Sequence, residues 1–276
     1  MHRVPAGRAA VHAALILYTL LAISPILLVI INSFKSRNAI FGSPLSLPSA
    51  STFSLIGYTS VLAKSNFPLY FLNSLTVTVS SLVLVLFFGA MAAWALTEYR
   101  FRGNGLLGLY MAIGIMVPIR LGSVSILKLM VGLGLVNTLP ALILVYTAMG
   151  LPLAVFILSE FIQQIPREMR DAARIDGASE YRIFWNIILP LIRPAVATVA
   201  VFTMVPIWND LWFPLILAPG KATQTVTLGV QQFIGQYVTD WNAVIAALSL
   251  ALAPILVLYV IFSRSLVRGI TAGAVK

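Results

Sequence analysis

Six apolar stretches, each about 20 residues or longer, recur along the chain at residues 11–34, 70–96, 106–130, 139–161, 189–217 and 243–262. A helix rises about 1.5 Å per residue, so about 20 apolar residues match the roughly 30 Å hydrocarbon core of a bilayer. Hydrophobic residues make up 60% of the 276 and charged ones only 9%, against about a quarter charged in a soluble domain. No soluble packing hides that much apolar side chain, so lipid is part of the solvent for this chain. The first stretch follows Arg3 and Arg8. It is longer than a signal-peptide core and shows no small-residue cleavage site, so it reads as a retained span. The predicted fold class is all-α: a polytopic membrane protein with six transmembrane helices, taken as one domain over residues 1–276.

Charge then sets sidedness. Six spans put both termini on one side. Twelve Lys and Arg residues fall on that side, among them Arg100, Arg102, Arg167, Arg170, Arg174, Arg182 and Arg193, and six on the other, including Lys35, Lys64 and Lys221. The richer side is expected to be cytoplasmic, with both termini there. The net charge of +10 is scattered between apolar runs, which is topogenic charge and not a nucleic-acid face. The connector 35–69 is rich in Ser and Pro and reads as an extended loop with little helix. The connector 218–242 is expected to face outward. No internal repeat is evident, which argues mildly against a self-contained inverted-repeat transporter.

Several chemistries are excluded. There are no cysteines, hence no disulfide, thiolate nucleophile or Cys-based metal site. Both histidines, His2 and His12, sit at the N-terminus, leaving no His base deep in the chain. No phosphate-cradling loop, dinucleotide turn or metal-ligand spacing occurs. No cofactor is expected in this chain, and it cannot hydrolyse ATP alone.

The long cytoplasmic connector 162–188 concentrates the charge. Pro166 suits a helix start, Glu168 favours the first turn, a helix runs from Arg167 to Asp176, and Gly177 supplies the left-handed residue that ends it. Ser179 can cap a second helix, with Glu180 in its first turn. Arg167, Arg170 and Arg174 share a face by their spacing, and Ala172 and Ala173 give a flat surface for close approach. On residue physics alone a solvated amphipathic loop at the lipid headgroups competes equally.

Asp171-Ala172-Ala173, Gly177 after three residues, Ile187 after nine more and then Leu189-Pro190 resemble the EAA loop of binding-protein-dependent ABC importers, with Asp171 in place of Glu. The runs 173–179, Trp208-Asn209-Asp210 and 269–276 are similar to the carbohydrate-uptake, maltose-transporter branch. The resemblance implies a cytoplasmic coupling helix that docks on a separate ATPase subunit through Arg170, Asp171, Ala172, Ala173, Arg174, Asp176 and Gly177. Arg170 and Arg174 would pair with acidic groups there. It implies a C-terminal tail, with Gly269, Thr271 and Gly273, reaching between ATPase subunits, where a frayed terminus is the plain alternative. It implies an outward loop, with Gln232, Gly235, Gln236 and Tyr237, entering the cleft of a sugar-binding protein, where a solvated connector competes. The partners implied are a second homologous permease, two ATPase subunits carrying ATP and Mg, and a periplasmic or lipid-anchored binding protein. The location implied is the bacterial cytoplasmic (inner) membrane.

Charges within the spans give a candidate path. Arg120 follows Pro118, which can kink the third span; it faces a wet cavity or snorkels to the interface. Asp210 sits with Trp208, Asn209 and Trp212 between Pro206 and Pro214, and either lines the path or ties spans together. Glu98 reads as a topological anchor near Arg100. The functional expectation is a permease subunit of an ATP-driven importer of a sugar or sugar derivative. The alternatives are a permease of the same design for a glycerol phosphodiester, polyol or anionic sugar, and an ion-gradient transporter or channel.

Overall fold

The structure, a computed structural model, describes residues 6–235 and 239–274, with side chains except at positions 6, 9 and 258–274. It is helical throughout, with two isolated β-bridges and no strand among the described residues. In chain order the helices are α1 (Ala6–Ser33), α2 (Arg37–Gly42), α3 (Ile56–Lys64), α4 (Phe67–Glu98), α5 (Asn104–Met116), α6 (Ser123–Gly132), α7 (Leu139–Gln163), α8 (Arg167–Ile175), α9 (Glu180–Ile183), α10 (Leu189–Leu191), α11 (Arg193–Asn209), α12 (Trp212–Leu217), α13 (Val226–Val230) and α14 (Trp241–Ala274). Two compact units result, Met1–Pro68 with Gly229–Ala253, and Leu69–Leu228 with Pro254–Lys276.

Among the described residues, three helices are long and apolar enough to cross a membrane: Ala10–Ser33, Phe67–Glu98 and Leu139–Gln163. Two bent pairs meet the same criterion jointly, Asn104–Met116 with Ile119–Gly132 at 90° and Glu180–Leu191 with Arg193–Asn209 at 74°. Trp241–Val257 is a shorter apolar stretch. The third and fifth predicted spans are therefore not single rods. Val117 and Pro118 have extended backbone between α5 and a 3₁₀ turn at Ile119–Gly122; the ring of Pro118 disfavours the helical conformation of Val117 before it and removes a donor.

The first unit corrects the expectation of an extended loop with little helix. Residues 35–69 contain α2 and α3, with Pro44 and Pro48 in the segment between them. Pro68 occupies the first turn of α4, where a missing N–H is harmless. Lys35, expected as a topogenic charge, is fully buried. Its Nζ donates to the carbonyls of Ser43 (2.9 Å) and Pro44 (3.2 Å), and its own carbonyl accepts from Asn242 Nδ2 at 2.8 Å. Burying an ammonium requires such acceptors, and here they fold the loop back on the end of α1.

The second unit is built on close helix contact. A Cβ at Gly150 would come within 2.7 Å of Val85 Cγ2, and one at Gly89 within 2.7 Å of the Ala154 methyl. Positions 85 and 89 on α4 thus mesh with 150 and 154 on α7, each pair one helical turn apart. Small residues let membrane helices approach where lipid supplies no hydrophobic drive between them. Beside this seam Val85, Ala154, Leu158, Ile183, Phe184, Ile188 and Val199 form one apolar cluster. Ala173 of α8 packs into the same cluster. A second cluster, around Leu142, Tyr146, Phe213 and Leu217, fills the other end. There Asn73 of α4 donates to the carbonyls of Ala222 and Gln224, both at 2.9 Å, and Asn137 Oδ1 accepts from Gly220 N and Thr223 Oγ1, both at 2.8 Å.

Candidate functional site

The sequence-predicted residues gather at two places in the second unit. The first is α8 and the turn after it. Pro166 precedes the first helical residue, Glu168 lies in the first turn, and the helix stops at Ile175. Gly177 has φ of 77°, a left-handed conformation that only glycine adopts cheaply. Ser179 then accepts from Arg182 N at 3.4 Å and caps α9. A π-helical turn, Phe184–Ile188, carries the chain into α10.

The two faces of α8 differ sharply. Arg170 and Ala173 are buried. Asp171, Ala172, Ile175, Asp176 and Gly177 are exposed, Ile175 at 86%. Ala173 is therefore part of the protein's own core and only Ala172 offers a small surface outward. The two arginines are likewise engaged inside this chain. Arg170 Nη1 bonds Glu98 Oε2, Nη2 reaches the Ile165 carbonyl at 3.3 Å, and the guanidinium lies 5.8 Å from the Trp94 ring centroid. Arg174 Nη2 takes the other Glu98 oxygen at 2.5 Å. Its Nε bonds Glu180 Oε1 at 2.8 Å and its Nη1 bonds Asp171 Oδ1 at 3.0 Å. The hydrogen bonds to Glu180 and Glu98 hold the Arg174 guanidinium charged well above its ordinary range. Tyr99 donates to Glu180 at 2.9 Å, and burial together with that bond raises its phenol.

Glu98 is thus the hub of a five-charge network and not merely an anchor near Arg100. Its position is visible in the sequence, as a carboxylate closing an apolar span, but its partners lie 72 and 76 residues away. Arg167 is exposed and takes no part.

The second place is the break between α11 and α12. Asp210 leaves the helix with extended backbone. Its carboxylate accepts from Tyr146 Oη at 2.8 Å and from the backbone N–H groups of Trp212 and Phe213 at 3.2 and 3.1 Å. Arg120 Nη2 stands 3.5 Å from Asp210 Oδ1, with the arginine side chain 71% exposed and the aspartate's 9%. Asp210 therefore ties α7, α12 and the bent third span together. It also faces a cavity of about 190 Å³ lined by Arg120, Tyr146, Leu153, Phe202, Thr203 and Phe213 among others. Trp208 is buried edge-on against Phe71, which removes it from that cavity. Trp212 donates its indole N–H to Ser123 Oγ at 2.8 Å. Asn209 is exposed and bonds the Val205 carbonyl at 2.9 Å. Nothing in the sequence singles out Tyr146 and Thr203, since a lone Tyr or Thr in an apolar run carries no spacing signal.

In the first unit Gln232 and Gly235 are exposed and line a cavity of about 410 Å³ with Arg37, Lys64, Asp240 and Trp241. Lys64 Nζ bonds Asp240 Oδ2 at 2.8 Å. Gln236 and Tyr237 lie outside the described residues. Gly269, Thr271 and Gly273 fall on the last turns of α14, and their side chains lie outside the described residues.

Residues 85–272 match the model of the family described as the binding-protein-dependent transport system inner membrane component. The chain belongs to this family. It is a multi-pass membrane permease component, not a catalytic enzyme. It is 36% identical over 267 residues, covering 96% of this chain and 88% of the relative, to the diacetylchitobiose uptake system permease protein NgcG of Streptomyces coelicolor. It is 34% identical, covering 95% of this chain and 94% of the relative, to a probable starch degradation products transport system permease, AmyC, of Thermoanaerobacterium thermosulfurigenes. A chain of a bacterial ABC transporter involved in the import of alginate has the same fold, with a TM-score of 0.80 at 21% identity over 96% of this chain and 99% of that one.

Proposed function

We propose that this permease carries a sugar or sugar derivative inward as one of two paired permease subunits, with six crossings and both termini cytoplasmic. Two ATPase subunits lie beneath it and a binding protein delivers substrate from outside. The relatives named above transport saccharides by their names, and the family is binding-protein-dependent. The observation that carries the mechanical part is the two-faced α8. Its inner face is fastened to the end of α4 through Glu98 and to the core through Ala173. Its outer face, Asp171, Ala172, Ile175 and Asp176, is left for a partner. An ATPase groove receiving that face would move α8 and α4 together, turning closure of the nucleotide sites into a shift between two membrane states.

In this reading Arg170 and Arg174 position the coupling helix from within, while Asp171, Ala172, Asp176 and the Gly177 turn meet the ATPase. The tail residues Gly269, Thr271 and Gly273 extend the same contact, and the loop with Gln232, Gly235, Gln236 and Tyr237 meets the binding protein. Asp210 and Arg120 border the path. Because Asp210 offsets the Arg120 charge, a neutral saccharide is favoured over a glycerol phosphodiester or an anionic sugar derivative.

The test uses the native absence of cysteine. Ala172→Cys in the complete importer should cross-link to a cysteine scanned along the ATPase groove, and transport in vesicles should need ATP and the binding protein. Transport driven by an ion gradient without ATP would overturn the proposal.

A further inference from the structure

The cavity beside Asp210 contains an anomaly. Thr203 is buried, and its hydroxyl has no hydrogen-bond partner among the described residues. In the same unit Thr147 donates to the Ile143 carbonyl at 2.7 Å and Thr198 to the Pro194 carbonyl at 3.0 Å. Those are the usual bonds of a helical threonine to the carbonyl one turn back. Thr203 makes no such bond, and it lines the cavity together with Arg120, Tyr146 and Asp210. A buried hydroxyl without a partner calls for one.

The remaining groups define what that partner is. The cavity of about 190 Å³ equals the liquid volume of about six waters. That is the scale of one hexose ring. Among the described residues Arg120 has one long polar contact, to Asp210, which leaves most of its N–H groups to donate elsewhere. The Tyr146 oxygen donates to Asp210 and keeps lone pairs that can accept. The Thr203 hydroxyl does both. Leu153, Phe202 and Phe213 supply apolar wall. Donors, acceptors and apolar wall in one small space suit a ring with hydroxyls on its edge and C–H groups on its faces. Arg120 and Asp210, 3.5 Å apart, leave the site without net charge. A carboxylate on the ring would gain little from Arg120 and be repelled by Asp210.

We propose that Arg120, Tyr146, Thr203 and Asp210 form a subsite on this subunit that holds one neutral pyranose-type ring during passage. This rests on the importer reading and adds to it a contact residue and a ring count. A guanidinium exposed at the cavity's edge needs a wet surface within a membrane protein, and a sugar pathway provides it.

The experiment places Thr203→Cys in this cysteine-free chain, assembled with its partner permease, ATPases and binding protein. Labelling of the introduced thiol by a water-soluble methanethiosulfonate is followed by mass spectrometry with and without ATP and vanadate. The thiol should react in at least one of the two states. Methyl α-D-glucopyranoside at saturation should slow the reaction about tenfold, and D-glucuronate should not. With Asp210→Asn added, Arg120 is no longer offset and glucuronate should protect. Thr203→Val should transport about tenfold less, the factor for one net hydrogen bond, and Thr203→Ser, which keeps the hydroxyl, should lose less than Thr203→Val. A working importer in which the introduced thiol never reacts, or in which glucuronate protects the Thr203→Cys single variant as well as the glucoside does, overturns the subsite alone. Failure of the native chains to couple ATP hydrolysis to transport overturns the importer reading itself.

Discussion

Glu98→Gln tests how α8 is held. The change keeps the size of the side chain and removes the charge that Arg170 and Arg174 share. The amide oxygen can still accept from one arginine, but its NH₂ meets the other guanidinium donor to donor. Arg170 is 5% exposed and Glu98 11%, so water cannot replace what is lost. Breaking a buried ion pair by removing one partner costs about 3–5 kcal/mol. Arg170 keeps the Ile165 carbonyl and the Trp94 face, and Arg174, a third exposed, keeps Asp171 and Glu180. The expected loss is therefore at the lower end, about 3 kcal/mol. Unfolding of the purified protein by dodecyl sulfate in mixed micelles, read by tryptophan fluorescence, measures it. Arg170→Met alone should also destabilise. The double variant should recover about 2 kcal/mol of the summed loss, because it leaves no orphaned charge in the interior. Single losses below about 1 kcal/mol, or losses that add within about 0.5 kcal/mol, would refute the assignment of Glu98 as the clamp.

Gly177→Ala should cost about 1–2 kcal/mol, since φ of 77° places a Cβ in the left-handed region. The same unfolding assay reads the loss, and ATPase stimulation by the loaded binding protein should fall alongside it. The Lys64–Asp240 pair predicts a pH effect in the first unit. Burial pushes the Asp240 carboxyl up, but the hydrogen bonds from Lys64 and Ala243 N and the charges of Lys64 and Arg37 outweigh it and hold it below its ordinary value. Its contribution is thus complete above the unfolded carboxylate range and is lost as pH falls through the lower folded value. Both side chains are substantially exposed, so Lys64→Met should remove about 0.2–1 kcal/mol near neutral pH and almost nothing once Asp240 is protonated.

What is legible in the sequence is local. A glycine placed to end a charged helix, a serine placed to start the next and a proline within a span each act through the local backbone, and Gly177, Ser179 and Pro118 do so here. The all-helical membrane fold is legible because apolar length is itself a local property. Long-range pairing is not. Nothing in the run 94–98 names Arg170 as its partner, so the resemblance alone turns the arginines outward to another subunit. Nor does the loop composition reveal that Lys35 turns inward, because a Lys among Ser and Pro looks solvated until carbonyls converge on it. Trp208 misleads for the same reason: an aromatic next to Asn and Asp suggests a place on the sugar path, and packing against Phe71 uses its ring elsewhere.

A buried ion pair is a poor device for stability alone, since an apolar pair of similar volume would serve as well or better. Its advantage is direction. An apolar contact under α8 would let the helix slide or roll with small loss, because dispersion is nearly isotropic. Glu98 offers two oxygens, one to Arg170 and one to Arg174, a turn apart on α8. Rotating or translating α8 relative to the end of α4 must break one of these before the other can re-form. Ala173, packed in the core between the two arginines, prevents the helix from lifting away to relieve that strain. A helix held by two charge-assisted bonds around a close-packed methyl is stiff in the directions in which a partner subunit would push it, and stiffness of this kind is what a lever between a nucleotide site and a membrane span requires.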